Sequence, residues 1–146
     1  MATIIDGSLA PRGKKISFPN GMEWYESNIS NKYIYDIKYA NGLWLATSGT
    51  NGIDGSLDGK NWSKDIVTGL SVSFSLCYAD GLWVSAGTGL YYSTDGKSWS
   101  PSNITSVGFR SVHNANGIWI AGTSDSHGLY YSADGKNWTQ SNITSG

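Results

Sequence analysis

The sequence is poor in the groups that usually brace or arm a small protein. One cysteine, Cys77, occurs in 146 residues, so no disulfide can form within the chain and the fold must rest on packing and hydrogen bonds. Charged residues make up 14% and the formal net charge is −1. That balance supplies no electrostatic reason to bind nucleic acid or an acidic membrane surface. No apolar run approaches the roughly 18 residues a membrane helix needs. The N-terminal MATIIDGSLAPRGKK places its basic residues after the apolar ones, the reverse of a secretion signal. Neither membrane insertion nor an export signal is therefore expected. Cys77 lies in the run SFSLCYADG, where a small buried side chain is expected and a nucleophile is not.

What is abundant points elsewhere. Seven Trp, nine Tyr and 19 Gly describe a turn-rich, aromatic β protein. The tryptophans keep time. Trp62, Trp99 and Trp138 close the turns DGSLDGKNW, YYSTDGKSW and YYSADGKNW, and Trp44, Trp83 and Trp119 end the segments NGLW, DGLW and NGIW. One period back from Trp62 lies Trp24, in NGMEWYESNIS, which matches DGKNWTQSNIT near the C-terminus. Five N-x-[ST] sequons begin at Asn28, Asn61, Asn103, Asn137 and Asn142. Four recur with the repeat and read as by-products of it, not as glycosylation signals.

Each unit reads as four short strands. YIYDIKYA and SVSFSLCYA alternate as half-buried strands do, and Asn-Gly or Asp-Gly follows them, the strongest short hairpin signal. LWLATS or LWVSAG makes the second strand and GLYYS the third, and a second Asp-Gly turn leads to the fourth. A period of about 38 residues with four strands per unit predicts an all-β fold, a β-propeller of four-stranded antiparallel blades. About four blades per chain are expected. Residues 1–14 would be an N-terminal arm or strand, 15–30 a partial blade, and 31–67, 68–105 and 106–146 full blades. The partial unit supplies at most a second, third and fourth strand, from TIIDGSLA, KKISFP and MEWYESNI. Unpaired strand edges invite another chain, so a homo-oligomer is expected.

The turn S-x-D-G-K-x-W resembles the Asp-box of sialidase-like (BNR-type) propellers, S-x-D-x-G-x-x-W, and is one residue shorter between Asp and Trp. Ser56, Asp58, Gly59 and Trp62 carry the resemblance, as do Ser93, Asp95, Gly96 and Trp99, and Ser132, Asp134, Gly135 and Trp138. The turn is expected to be structural. Asp accepts backbone N–H groups, Gly takes positive φ, and Trp buries its ring between blades. Sialidase chemistry, as the resemblance implies it, needs three arginines, and the chain has only Arg12 and Arg110. Glu23 and Glu26 flank Trp24 and nominate no carboxylate pair across a cleft. A Ser–His–Asp site would have to recruit His113 or His127. Neither phosphate loops nor zinc-ligand spacings occur. No catalytic residue, metal or cofactor is expected, and the chain is read as a non-enzyme.

In a four-stranded meander the first–second and third–fourth turns share one edge of the disc, and here both are nearly invariant. The second–third loops TSGTNG, AGTG and GTSDSHG, with the links ISNKY, VTGLSV and TSVGF, share the other edge and vary. Variable loops on a uniform scaffold are where recognition is expected. Candidate binding residues are Asn51, Asp125, Ser126 and His127 from loops, with Lys32 and Tyr33 from a link. Asp125 and His127 could also suggest a metal. From Ile16 onward the tandem units, with their NGxWIAG segments, look like repeats of bacteriophage tail and bacterial adhesion proteins. That resemblance implies a virion or bacterial-surface location and a glycan or host-surface protein as partner. The alternative is a structural propeller, possibly an excised or engineered fragment, that oligomerises to complete its ring.

Overall fold

Three two-residue turns set the repeat. Asn41-Gly42, Asp80-Gly81 and Asn116-Gly117 hold both central residues at positive φ, from 50° to 77°, the type I′ geometry whose twist matches that of the flanking strands. Each joins a first strand to a second: β3 (Asp36–Ala40) to β4 (Leu43–Thr47), β6 (Ser75–Ala79) to β7 (Leu82–Ala86), and β10 (Phe109–Ala115) to β11 (Ile118–Thr123). A third strand pairs with each second strand: β5 (Ile53–Ser56), β8 (Leu90–Ser93) and β12 (Leu129–Ser132). Short fourth strands, β9 (Ser100–Pro101) and β13 (Thr139–Gln140), complete two of the sheets. Ahead of them lies a hairpin of β1 (Lys15–Ser17) and β2 (Glu23–Tyr25). A computed structural model describes residues 15–29, 33–49, 52–63, 67–70 and 72–142.

The described residues thus form four antiparallel sheets in sequence order: I (β1–β2), II (β3–β5), III (β6–β9) and IV (β10–β13). Sheet II was expected to hold four strands, and among the described residues it shows three plus a bridge between Gly55 and Ser63, in the register that pairs Tyr92 with Ser100 and Tyr131 with Thr139 in sheets III and IV. Sheet I shows two strands, and the expected strand in residues 3–10 lies outside the described residues.

Neighbouring sheets are tied along their first strands. The Leu76 N–H (2.8 Å) and the Ser75 hydroxyl (3.4 Å) donate to Asp36 Oδ2, and the Val112 N–H donates to Ser75 Oγ (3.4 Å). Behind these ties sit two apolar cores. Leu43, Leu45, Leu76, Trp83 and Trp99 fill one, between sheets II and III. Leu82, Val84, Val112, Trp119 and Trp138 are among those filling the other, between III and IV. Cys77 is buried in the second, and desolvation there raises its thiol pKa. Each core is made the same way, by the third–fourth turn of one sheet pressing on the second strand of the sheet before it. A Cβ on Gly96 would lie 2.8 Å from Leu43, and one on Gly135 would lie 2.7 Å from Leu82.

The sequon asparagines take part in this joinery. Asn28 and Asn103 each reach the next sheet, where the carboxamide accepts the N–H and donates to the C=O of Trp62 or Trp138 (2.8–3.0 Å). Between sheets II and III the backbone of Thr68 makes the corresponding bonds, to Lys97 O and from Trp99 N–H. Asn61 and Asn137 brace their own turns through Asp58 and Asp134 (2.7 Å).

Candidate binding edge

The two edges of the sheet array differ in chemistry. On one, the S-x-D-G turns consume their polar groups internally. The hydroxyl of Ser56, Ser93 or Ser132 accepts the glycine N–H and donates to the aspartate Oδ1 (2.8–3.0 Å). That Oδ1 also accepts two further backbone N–H groups, such as those of Lys136 and Asn137 (2.8 and 2.7 Å). These backbone bonds hold Asp58, Asp95 and Asp134 below the usual carboxylate range, because they favour the charged form. Each closing tryptophan returns its indole N–H to the glycine carbonyl of its own turn (3.1 Å). A carboxylate held this way acts as a turn-former through its Oδ1.

The opposite edge carries the second–third loops and the links between sheets, and the loops are stitched to the links. Gly49 exchanges both backbone bonds with Ser73, Phe109 N–H donates to Gly87 O, and Ser124 N–H donates to Gly108 O. At Gly87 a Cβ would stand 2.1 Å from Val72 O, so this short loop needs glycine to let two backbones meet. Sequence variation among the loops is therefore partly a packing requirement.

The 124–128 loop, between β11 and β12, is ordered from within. Thr123 Oγ1 donates to the carbonyls of Asp125 and Gly128 (2.9 Å each), and Gln140 anchors the His127 carbonyl (2.7 Å). Asp125 caps the His127 N–H (3.1 Å) and meets its imidazole Nδ1 at 2.5 Å. That imidazole lowers the Asp125 pKa. Both side chains are about half exposed, and Ser126 is exposed between them. Among the described residues no third His, Cys, Asp or Glu joins this pair to hold a metal. Tyr33 projects from its link almost fully exposed, whereas Lys32 and Asn51 lie outside the described residues.

Three residues that loop comparison overlooked form the clearest feature of this edge. Tyr35, Phe74 and Arg110 stand immediately before Asp36, Ser75 and Ser111, at the mouth of successive first strands. Tyr35 packs edge-on to Phe74 (5.2 Å), and the Arg110 guanidinium lies over the Phe74 ring (4.2 Å). The row spans three sheets, with Arg110 exposed and in no ion pair among the described residues. Aligning the copies on their first strands, not on their loops, exposes the position.

No family model matches the sequence, and no curated protein matches it. Solved structures do match. The WD40 β-propeller domain of Doa1 aligns at TM-score 0.52 and 14% identity, over 78% of this chain and 42% of that one. The fold is that of a β-propeller. YCF48, solved bound to a D1 peptide, aligns at TM-score 0.59 and 19% identity over 90% of this chain and 43% of its own. The computationally designed Ika8 protein aligns at 0.58 and 10% identity, over 83% and 42%. At these identities the likeness speaks for the fold alone. The chain spans about two fifths of the length of each of these three.

Proposed function

We propose that this chain is a non-catalytic recognition module that holds a host-surface glycan or protein on its loop edge, as part of a phage tail or bacterial surface protein. The observation that carries it is the Tyr35–Phe74–Arg110 row. It presents π surface beside an exposed guanidinium that forms no ion pair among the described residues, and such surfaces stack on sugar faces and clasp carboxylates or peptide carbonyls. Asp125 and His127 add an exposed polar pair on the same edge. The non-catalytic reading draws support from the turn aspartates, whose Oδ1 atoms are engaged by backbone N–H groups of their own turns. YCF48, a propeller of similar fold, is named as holding a peptide, so the architecture accommodates such a ligand.

Glycan-array and bacterial-cell binding of the whole chain test this. Arg110→Ala should cut any signal at least tenfold, and the pair Asp125→Ala, His127→Ala should weaken it, with unchanged circular dichroism. Binding that survives all three substitutions would move the site off this edge. A second reading, that the propeller serves assembly, is favoured by a different observation. The outward flank of sheet IV carries apolar side chains at positions that are buried in sheets II and III.

A further inference from the structure

Among the described residues the blade-to-blade contact is made twice, and two halves of it stand unmatched, one on sheet IV and one at the β1–β2 turn. In each made contact, a turn glycine and the tryptophan three residues on press against two apolar residues of the preceding second strand. Gly96 and Trp99 take Leu43 and Leu45, and Gly135 and Trp138 meet Leu82 and Val84. The covered residues are sealed, with Leu43 3% and Leu45 0% exposed. Lys136 completes the junction by lying over the Tyr92 ring (5.2 Å).

On sheet IV the same positions hold Ile118, Ile120 and Tyr131, and they are 44%, 40% and 45% exposed. This is the receiving half with nothing in it. At the other end, Gly21 and Trp24 repeat the glycine–tryptophan spacing. Gly21 has the same positive φ (82°), Asn20 Oδ1 caps the Met22 N–H as the turn aspartates cap theirs, and a Cβ on Gly21 would meet nothing within 4 Å. Met22 (51%) and Trp24 (59%) stand exposed beside it. This is the inserting half with nothing to enter.

We propose that a second copy of this chain fills the gap, its Gly21–Trp24 turn seated on Ile118, Ile120 and Tyr131 of the first copy. The proposal rests on the assembly reading and gives it an address. The contact is head-to-tail, so it is satisfied at both ends only when the copies close a ring. Two copies approach the length of Ika8, YCF48 and the Doa1 domain, whereas one copy already spans 78% of the designed Ika4 protein. The receiving patch is apolar and uncharged, and so are Met22 and Trp24, which suits burial against one another and no charged partner.

Native mass spectrometry and sedimentation of the whole chain in the tens of micromolar test it. The wild type should run at twice the chain mass. Ile118→Glu with Ile120→Glu, and separately Trp24→Glu, should each give monomer with near-UV circular dichroism retained. Tyr131→Asp, a change at an exposed site outside the cores, should do the same. Mixing the Ile118/Ile120 variant with the Trp24 variant should restore a 1:1 dimer, because one intact junction remains between them. A monomeric wild type would overturn both this proposal and the assembly reading. An oligomer that ignores all three changes would leave assembly standing and place its surface elsewhere. Monomeric variants that fail to pair when mixed would overturn the head-to-tail arrangement.

Discussion

Trp138 and Trp24 hold the same place in the repeat, yet the first is buried and the second is mostly exposed. Both follow a glycine of positive φ by three residues. Two things separate them. Trp138 has the second strand of sheet III to enter, whereas no described sheet precedes Trp24. The N-terminal turn is also tighter: Ser17, four residues before its glycine, pairs with Glu23, where Tyr131 pairs with Thr139. The slip is two residues, so it keeps each side chain on its own face while drawing Trp24 into the ladder opposite Ile16. A repeated sequence motif thus makes a repeated turn, but it makes a repeated core only where a neighbour stands behind it.

The widest gap between the two ends should appear on truncating the tryptophans. Trp138→Ala should cost about 3–5 kcal/mol, and Trp24→Ala under about 0.5 kcal/mol when measured in dilute, unassociated chains by urea denaturation. Equal losses would mean that Trp24 is buried in the single chain. Next come the glycines. Gly135→Ala forces a Cβ against Leu82 and Trp119 at φ +71° and should cost about 2–4 kcal/mol, against about 1 kcal/mol for Gly21→Ala, where only the left-handed backbone objects.

The clamps between sheets offer a finer contrast. Asn103→Ala removes two hydrogen bonds to Trp138 and should cost about 1–2 kcal/mol. Thr68→Ala keeps its backbone bonds and should cost less than about 0.5 kcal/mol in the same denaturation series. The smallest effect is the pH dependence. The turn aspartates have folded pKa values below their unfolded ones, so their stabilisation is complete above the unfolded value. It is lost as the pH falls through the folded values. Thermal midpoints should be level above about pH 5 and decline below about pH 4. Asp134→Asn should flatten part of that decline, and the equivalent N-terminal change, Asn20→Ala, should leave it untouched.

Much of the scaffold could be read from the chain because its signals are local. An Asn-Gly or Asp-Gly pair between two alternating strands gives a type I′ hairpin at 41–42, 80–81 and 116–117. The serine, aspartate and glycine of the third–fourth turn satisfy one another within four residues. The candidate site was less legible. Asp125, Ser126 and His127 were found because their loop is long, but Tyr35, Phe74 and Arg110 are scattered over 76 positions of sequence and meet only through the parallel alignment of three first strands. Gly87 shows the converse. Its loop looked free to vary, and it is held short by the backbone of Val72.

Sequence was enough for the turns, the period and the alternation of the strands, since each depends on groups a few residues apart. Which tryptophans are buried and which apolar flank is left uncovered depend on neighbours supplied from a full period away. Those outcomes follow from whether a second surface is present to exclude water, and a repeat can encode one half of such a contact without saying where the other half will come from.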